Sequence, residues 1–281
     1  MNKVAVVTGA TSGIGKANVE LLLKKDIDVI AVCRSHERAK HLKEDMTKID
    51  YNSQLRIVMG DLSDRQGVNQ ALLGIKNELN THYQGRLDIL MNIAGIVSSG
   101  LHLNQDGHEL TFATNHLSVF MLTLGLVEAL EKSDDPRILV VSSLSHYRAS
   151  INFNNLQSKR GYNILKGYKR SKLYNVFFVK GFAKRYPHLP IFAIDPGLVK
   201  TEIGLKNTSK LAALVWSWRV STGTDAYYPA SFMVNMVFDP SYIAQSGQYF
   251  KEGVLKRSNP ITYHEDKIER LWIETEKIIH A

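Results

Sequence analysis

The sequence predicts an α/β fold: a single doubly wound domain in which a parallel sheet of about seven strands carries helices on both faces. Short apolar runs alternate with stretches of helical periodicity, an order typical of a parallel sheet covered by helices. A glycine-rich turn joins the first apolar run to the first helical stretch. The 281 residues contain no Pro/Gly-rich linker, internal repeat or low-complexity segment, which favours one domain over 1–281.

The individual elements follow from the local patterns. Apolar runs predict strands at 4–7, 28–33, 55–59, 87–92, 137–141, 191–194 and 248–250. Helical spacing of apolar residues predicts helices at 16–25, 36–48, 64–82, 108–132, 168–186, 222–237 and 262–279. Pro187 and Pro190 end one helix and precede the next strand, so they mark a local boundary rather than a domain boundary.

Composition narrows the class of protein. A hydrophobic content of 44% is enough for a full core, and the single Cys33, set in an apolar run, is expected to fill that core. The net charge of +8 is spread along the chain without a nucleic-acid motif, so we expect a solvated basic surface and no nucleic-acid partner. No secretory leader or membrane-spanning run is visible, and we expect a cytoplasmic protein without a metal site.

The turn Thr8-Gly9-Ala10-Thr11-Ser12-Gly13-Ile14-Gly15 follows the first strand and opens the first helix. Residues without a β-carbon let the backbone bend tightly and let a ligand approach it closely. The helix start presents unpaired N–H groups and a partial positive charge, which suit a phosphate. A turn that merely needs flexible residues is the alternative interpretation.

Two further stretches carry candidate chemistry. Tyr168 and Lys172 are one helical turn apart, and an ammonium beside a phenol is expected to lower the pKa of the phenol and prepare it for proton exchange at a carbonyl or alcohol oxygen. Ser143 stands at the end of the fifth strand, where ligands bind in open α/β sheets, and its hydroxyl could hold the substrate oxygen. Ser142 is the alternative.

The chain resembles the short-chain dehydrogenase/reductase family, which has a Rossmann fold. The resemblance rests on the T-G-x-x-x-G-I-G turn, Asp61-Leu62, Asn92-Ile93-Ala94-Gly95, Asn115, Ser143, Tyr168 with Lys172, and Pro196-Gly197-Leu198-Val199-Lys200-Thr201, in the family's order across nearly the whole chain. It implies the catalytic set Ser143, Tyr168, Lys172 and Asn115, the last holding a water that relays protons to the lysine. It implies cofactor contacts from Gly9, Ser12, Gly13, Ile14, Gly15, Arg34, Ser35, Asp61, Leu62, Asn92, Ala94, Gly95, Tyr168, Lys172, Pro196, Gly197, Val199 and Thr201.

One departure and one substitution bear on the cofactor. Ile93 replaces an asparagine of the family motif, so the polar contact of that asparagine is in doubt. Arg34, with Ser35 beside it, stands where an acidic residue would bind the adenosine ribose and favour NAD. An arginine binds a phosphate instead, which predicts NADP(H) over NAD(H). An ordinary surface arginine at a strand end is the alternative. Asp61 could likewise serve as a helix cap.

Several stretches are similar to a narrower group, the retinol-dehydrogenase-like reductases, among them Val32-Cys33-Arg34, Ser142-Ser143-Leu144-Ser145-His146 and Glu269-Arg270-Leu271-Trp272. That group acts on apolar aldehydes, ketones and alcohols with NADP(H). The segment 203–220 is expected to vary most. Its apolar positions Leu211, Leu214, Val215 and Trp218 suit a helix packed on the core, a lid over an apolar substrate, or a weak lipid-surface contact.

The sequence therefore predicts an NADP(H)-dependent oxidoreductase that transfers a hydride between the nicotinamide and a carbonyl or alcohol. A non-catalytic NADP(H)-binding regulator or scaffold, and an epimerase or dehydratase on the same fold, are the alternatives. By analogy with the family, a homodimer or homotetramer is expected to form through the helices at 108–132 and 168–186.

Overall fold

The computed structural model describes residues 2–199 and 223–280. Its sheet has the strand order β3-β2-β1-β4-β5-β6-β7-β8, with every neighbouring pair parallel except β7 and β8. The strands are β1 Val4–Thr8, β2 Asp28–Cys33, β3 Leu55–Met59, β4 Ile89–Asn92, β5 Arg137–Val141, β6 Ile191–Asp195, β7 Tyr249–Lys251 and β8 Val254–Lys256. The strand order reverses between β1 and β4, and that crevice is where ligands bind in such sheets. The predicted single α/β fold is confirmed.

Helices cover both faces of the sheet. They are α1 Gly13–Leu23, α2 His36–Met46, α3 Arg65–Tyr83, α4 Leu110–Phe112, α5 Ser118–Gly125, α6 Val127–Leu130, α7 Ile164–Arg185, α8 Tyr227–Phe238 and α9 Glu265–His280. One apolar core lies between the sheet and α1, α2 and α8, and a second lies between the sheet and α3, α5, α7 and α9. Because both faces are covered, β1, β2, β5 and β6 are buried along their whole length.

The C-terminal helix α9 packs across α5 and α7. The ring of Trp272 stacks on Phe178 with centroids 5.7 Å apart and lies 4.8 Å from Phe120. A Cβ added at Gly181 of α7 would come within 3.1 Å of the Trp272 ring, so this glycine lets the two helices approach closely. Helix α9 therefore packs on α7 and reaches α5 through the Trp272 ring.

The region 108–132 differs most from the sequence-based prediction. Instead of one helix it contains α4, a π-helical turn at Ala113–Leu117, α5 and α6. A π-turn is a short local change in hydrogen bonding within a helical stretch, and apolar periodicity over the whole stretch does not locate it. The sheet also gains the antiparallel strand β8, which returns through Glu252 and Gly253, both at positive φ.

Two other expectations concern burial and the membrane. Cys33 is buried in β2 and burial raises the pKa of its thiol to about 11, as expected for a core residue. Within the described ranges, every helix is too short or too polar to cross a bilayer. The segment 203–220 and Thr201 lie outside the described residues.

Candidate active site

A cleft of about 1230 Å³ opens at the carboxyl edge of the sheet, over the crevice between β1 and β4. It is lined by the glycine turn and by the residues that follow β2, β3, β4, β5 and β6, with α7 along one side. Sixteen of the predicted site residues line it: Gly9, Ser12, Gly13, Ile14, Gly15, Arg34, Asp61, Leu62, Ala94, Gly95, Ser143, Tyr168, Lys172, Pro196, Gly197 and Val199.

The glycine turn is closed more tightly than any side chain would permit. A Cβ on Gly15 would lie 2.1 Å from the carbonyl oxygen of Gly9, and Gly9 itself has φ +67° with Ala94 3.0 Å from its missing Cβ. The N-cap Ser12 makes no side-chain hydrogen bond to α1, and the first turn of α1 carries no acidic residue. The start of α1 therefore keeps the positive partial charge that suits an anion.

The turn after β4 is held by a residue that sequence reasoning did not assign to the site. The Thr8 hydroxyl accepts hydrogen bonds from the backbone N–H groups of Ile93 at 2.9 Å and Ala94 at 3.0 Å. This contact places the Ala94-Gly95 backbone at the cleft without the family asparagine. The Asn92 side chain turns away and donates to Thr123 Oγ1 at 3.0 Å, so it does not line the cleft.

The far end of the cleft is basic. Arg34 and Arg38 both line it, although sequence reasoning named only Arg34. Ser35 does not line it; its hydroxyl caps α2 by accepting from Arg38 N. Asp61 accepts from Ser63 N at 3.0 Å and lines the cleft. The cap of α3 is Asp64, so Asp61 does not serve as that helix cap.

Tyr168 and Lys172 lie on the same face of α7. The Lys172 Nζ is 5.8 Å from the centroid of the Tyr168 ring and donates to the carbonyl oxygen of Val141 at 3.0 Å. A Cβ placed on Gly95 would be 3.4 Å from both Lys172 Nζ and Asn115 Oδ1. The phenol, the amine and the loop after β4 therefore meet at one place in the cleft.

The two serines after β5 have different partners. The Ser142 hydroxyl donates to the carbonyl oxygen of Lys172 at 2.8 Å, which binds it to the backbone of α7. The Ser143 hydroxyl forms a hydrogen bond with the Tyr168 side chain and also accepts from Ser145 N at 3.2 Å. Ser143 is therefore the serine whose hydroxyl lies beside the phenol.

Asn115 lies in the π-turn and is fully buried. Its Oδ1 accepts from Ile96 N at 2.8 Å, and its Nδ2 donates to Ile96 O at 3.0 Å and to Ser171 Oγ at 3.0 Å. The side chain does not line the cleft. It binds the loop after β4 to α7 and so fixes the spacing between Gly95 and Lys172.

Burial controls the ionisation of the pair. It raises the pKa of Tyr168 to about 12, with the hydrogen bond to Ser143 acting in the opposite direction and the charge of Asp195 adding to the increase. Burial also lowers the pKa of Lys172 to about 8. The net pKa of the phenol is therefore raised, whereas the sequence-based expectation is a lowered pKa, because loss of water around the buried ring is the largest contribution.

Several cleft residues escaped sequence reasoning for identifiable reasons. Arg38 is four residues beyond Arg34, in the first turn of α2, and its nearness in sequence could have suggested a second cation. Asp195 directly precedes the Pro196-Gly197 turn, but no spacing signal distinguishes it from an ordinary strand end. The cleft also contains His102, Leu110, Leu144, Arg148, Leu165, Lys169, Leu198, Lys251 and Glu252, which come from five separate regions of the chain.

The fold and the site together define a class: a doubly wound α/β protein with a dinucleotide crevice and a Ser/Tyr/Lys set beside it. The model of the short chain dehydrogenase family matches residues 3–212 of the chain. The chain therefore belongs to the short-chain dehydrogenase family. Its similarity to retinol dehydrogenases shows that it is retinol-dehydrogenase-like.

The chain is 31% identical to human retinol dehydrogenase 12 over 272 residues, which cover 96% of this chain and 84% of that protein. It is 33% identical to human retinol dehydrogenase 11 over 218 residues, which cover 77% of this chain and 66% of that protein. Among solved structures, the KRED1-Pglu enzyme has a TM-score of 0.67 at 23% identity, covering 89% of this chain and all of that one. A short chain dehydrogenase from Shigella flexneri 2a str. 301, complexed with NADP, has a TM-score of 0.66 at 20% identity, covering 90% and 98%. These structural matches support the fold.

Proposed function

We propose that the chain is an NADP(H)-dependent oxidoreductase that interconverts an apolar carbonyl compound and its alcohol. The observation that supports this most directly is the meeting of Ser143, Tyr168 and Lys172 in one cleft, next to the glycine turn that begins α1. A protein that only binds a dinucleotide has no need of a proton donor at that position. Membership of the short-chain dehydrogenase family points the same way.

The residues of the cleft fit a dinucleotide. The uncapped start of α1 and the tight Gly9–Gly15 turn suit a pyrophosphate, and the loop Ala94-Gly95 offers close backbone approach. Pro196, Gly197 and Val199 also line the cleft, and we propose that they contact the nicotinamide. When bound, the nicotinamide supplies or accepts the hydride.

In the reducing direction the protein provides position and a proton. The pKa of about 12 keeps Tyr168 protonated near neutral pH, so its hydroxyl can donate a proton to the substrate oxygen. Ser143, hydrogen-bonded to that phenol, is placed to polarise the same oxygen. Lys172, with a pKa of about 8, exists in both forms near neutral pH and can return a proton through the proposed relay past Asn115.

The preference for NADP(H) is supported by the basic end of the cleft. Arg34 and Arg38 line it together, and guanidinium groups hold phosphates through paired charge-assisted hydrogen bonds. We propose that these two arginines bind the phosphate on the adenosine ribose. Asp61 and Leu62, which line the same end, are proposed to contact the adenine.

An apolar substrate is supported by three leucines around the proposed catalytic residues. Leu144 follows Ser143, Leu198 follows Gly197, and Leu165 precedes Tyr168 by one helical turn. They line the cleft, yet they are 52%, 58% and 46% exposed, respectively. Large apolar side chains left in water at a cleft mouth are typical of a binding site for an apolar ligand.

The sequence-based expectation is an oligomer formed through the helices at 108–132 and 168–186, and the packing of α9 bears on that interface. Of the helices proposed for pairing, α7 packs against α9 of the same chain, and Trp272 of α9 also contacts Phe120 of α5. We propose that the chain does not pair through this face. The cytoplasmic location remains a prediction.

Initial rates of NADPH oxidation with a panel of aliphatic and aromatic aldehydes test the activity. Tyr168→Phe should lower kcat by at least about 1000-fold, since it removes the proton donor, while NADPH affinity stays within about twofold. The matched control is Tyr186→Phe, at the far end of α7, where the ring stacks on Phe182. A Tyr168→Phe variant that keeps more than a tenth of the turnover would contradict the mechanism, and a wild-type chain that turns over no aldehyde, ketone or alcohol would favour the non-catalytic alternative.

A second measurement addresses the cofactor. The double variant Arg34→Ala with Arg38→Ala should raise KM for NADPH about tenfold and leave KM for NADH unchanged, because only the former loses phosphate contacts. Arg160→Ala, in the loop before α7, is the control for general loss of positive charge. An equal change for both cofactors would show that the arginines do not select between them.

A further inference from the structure

A buried carboxylate lies in the wall of the cleft with no role in the proposed chemistry. Asp195 ends β6 and directly precedes the Pro196-Gly197 turn. Only 2% of its surface is exposed, and it lines the same cleft as Tyr168 and Lys172. A buried carboxyl group is costly unless several donors satisfy it, so its partners indicate why it stands there.

Its partners come from three separate segments. Oδ1 accepts from Gly197 N at 3.0 Å, and Oδ2 accepts from the Tyr249 hydroxyl of β7 at 2.9 Å. The backbone N–H of Leu144, the residue after Ser143, also donates toward the carboxylate. Burial raises the pKa of the Asp195 carboxyl above its ordinary value, and the three donors act in the opposite direction because they favour the ionised form. One side chain thus connects the loop that follows Ser143, the loop that follows β6, and the edge of the sheet.

A second set of contacts holds Ser143 from the other side. His146 is fully buried; its Nε2 accepts from Asn259 N at 3.1 Å, so Nδ1 carries the hydrogen and donates to the Ser143 carbonyl oxygen at 2.7 Å. Burial lowers the pKa of His146 to about 4 and keeps the ring neutral. The ring packs against Tyr249 with centroids 4.6 Å apart, and Tyr249 in turn donates to Asp195.

We propose that Asp195 is a positioning residue that locks the Ser143 loop to the Pro196–Val199 loop and supplies the fixed negative charge against which Tyr168 and Lys172 exchange protons. This inference rests on the proposed function, because it assigns Asp195 to the same reaction. The hydroxyl that polarises the substrate and the loop proposed to cap the nicotinamide would then keep one spacing.

The electrostatic part has a defined sign. The Asp195 carboxylate raises the pKa of Tyr168, because it opposes a second negative charge, and raises the pKa of Lys172, because it favours the ammonium. Within residues 2–199 and 223–280, the charged or titratable groups around Asp195 are Tyr168 and Lys172 of α7, Tyr249 and Lys251 of β7, Glu252 beside Gly197, and Tyr147 and neutral His146 after β5. Removing the carboxylate charge should therefore lower the pKa of the phenol and of the amine together.

The test is Asp195→Asn, which keeps the shape and removes the charge. We expect kcat for aldehyde reduction to fall about tenfold, as the Ser143 loop loses one of its anchors. We expect the alkaline limb of the kcat/KM profile to move toward lower pH by on the order of one unit, whether the limb reports Tyr168 or Lys172. Ultraviolet difference titration at alkaline pH, each chain measured against its own Tyr168→Phe derivative, measures the phenol without requiring turnover.

Tyr249→Phe is the matched variant, since it removes one donor to Asp195 but keeps the charge and the ring against His146. It should lower kcat and leave the alkaline limb where it is. An Asp195→Asn protein with the wild-type limb and titration, or a Tyr249→Phe protein that shifts as Asp195→Asn does, would overturn the inference. If the wild-type chain reduces no carbonyl compound, the proposed function fails, whereas an active wild type with an unshifted Asp195→Asn profile refutes only the role of Asp195. If Asp195→Asn does not fold, the Tyr249→Phe variant decides the question. An alkaline limb of its kcat/KM profile that moves to lower pH contradicts the proposal, and an unmoved limb with reduced kcat supports it.

Discussion

Replacing Gly15 by alanine separates cofactor binding from folding. The new Cβ would lie 2.1 Å from the carbonyl oxygen of Gly9 and 2.6 Å from its carbonyl carbon. Contacts below 3.0 Å are not tolerated, so the Gly9 carbonyl must withdraw by about 1 Å, a displacement that typically costs about 100-fold where groups must be aligned. Because the turn and the start of α1 form the proposed phosphate site, we expect NADPH affinity to fall by about that factor.

The effect of the same change on stability is smaller, because two contributions oppose each other. Crowding in a packed region costs about 1–3 kcal/mol, whereas alanine in place of glycine inside a helix returns about 1 kcal/mol. The net loss of up to about 2 kcal/mol corresponds to a fall in Tm of less than about 8 °C, so the variant should stay folded at 25 °C.

Fluorescence titration with NADPH and thermal unfolding followed by circular dichroism give the two quantities. Gly100→Ala is the matched control, because the nearest atom to its new Cβ is His102 Nε2 at 3.5 Å, an ordinary contact. The control should bind NADPH like the wild type. A Gly15→Ala protein that binds NADPH within threefold of the wild type would show that the turn is not the phosphate site.

Three other outcomes follow from the structure. Thr8→Val leaves the Ile93 and Ala94 N–H groups without their hydroxyl acceptor, so it should cost about 1–3 kcal/mol of unfolding free energy, measured by urea titration, and weaken NADPH binding. Burial lowers the pKa of His116 and of His146 to about 4, so below pH 6.5 the unfolded chain binds protons that the folded chain does not. The free energy of unfolding should therefore be at its full value above about pH 6.5 and fall by about 2–3 kcal/mol for each histidine as the pH drops towards 4. Urea titrations at several pH values measure this. Because α9 packs on α7 and Trp272 reaches α5, no dimer should form through these two helices, and a disulfide cross-link between single cysteines introduced on α7 of two chains would contradict this.

The sheet was predictable because its signals are local. Strands β2, β3 and β5 have the predicted limits; β2 and β5 are buried along their whole length, whereas the edge strand β3 is mostly only partly buried. The region 108–132 was not predictable in the same way, because the π-turn that contains Asn115 depends on hydrogen bonds to Ile96 and Ser171, which are distant in sequence. The periodicity of apolar residues predicts which face of a helix is buried, but it does not predict such long-range hydrogen bonds.

The site residues show the same difference between local signals and contacts that are distant in sequence. Residues that act through backbone shape, such as Gly9 and Gly15, lie at the cleft as the motif implies. Residues whose role depends on side-chain direction differ: Asn92 turns toward Thr123, and Ser35 caps α2. A sequence places a Cα at the end of a strand, but which way the side chain turns is decided by partners that only the folded chain brings near.

The ionisation of Tyr168 and Lys172, the proposed catalytic pair, shows why spacing alone does not determine chemistry. From the sequence, the nearness of Lys172 to Tyr168 argues for a lowered pKa of the phenol; in the folded chain the ammonium donates to the Val141 carbonyl, and burial raises the pKa of the phenol to about 12. A protonated phenol is a proton donor, and we propose that this favours the reduction of a carbonyl group at neutral pH. In the alcohol-oxidising direction the same phenol would first have to lose its proton against the charge of Asp195, and that direction should therefore require the higher pH.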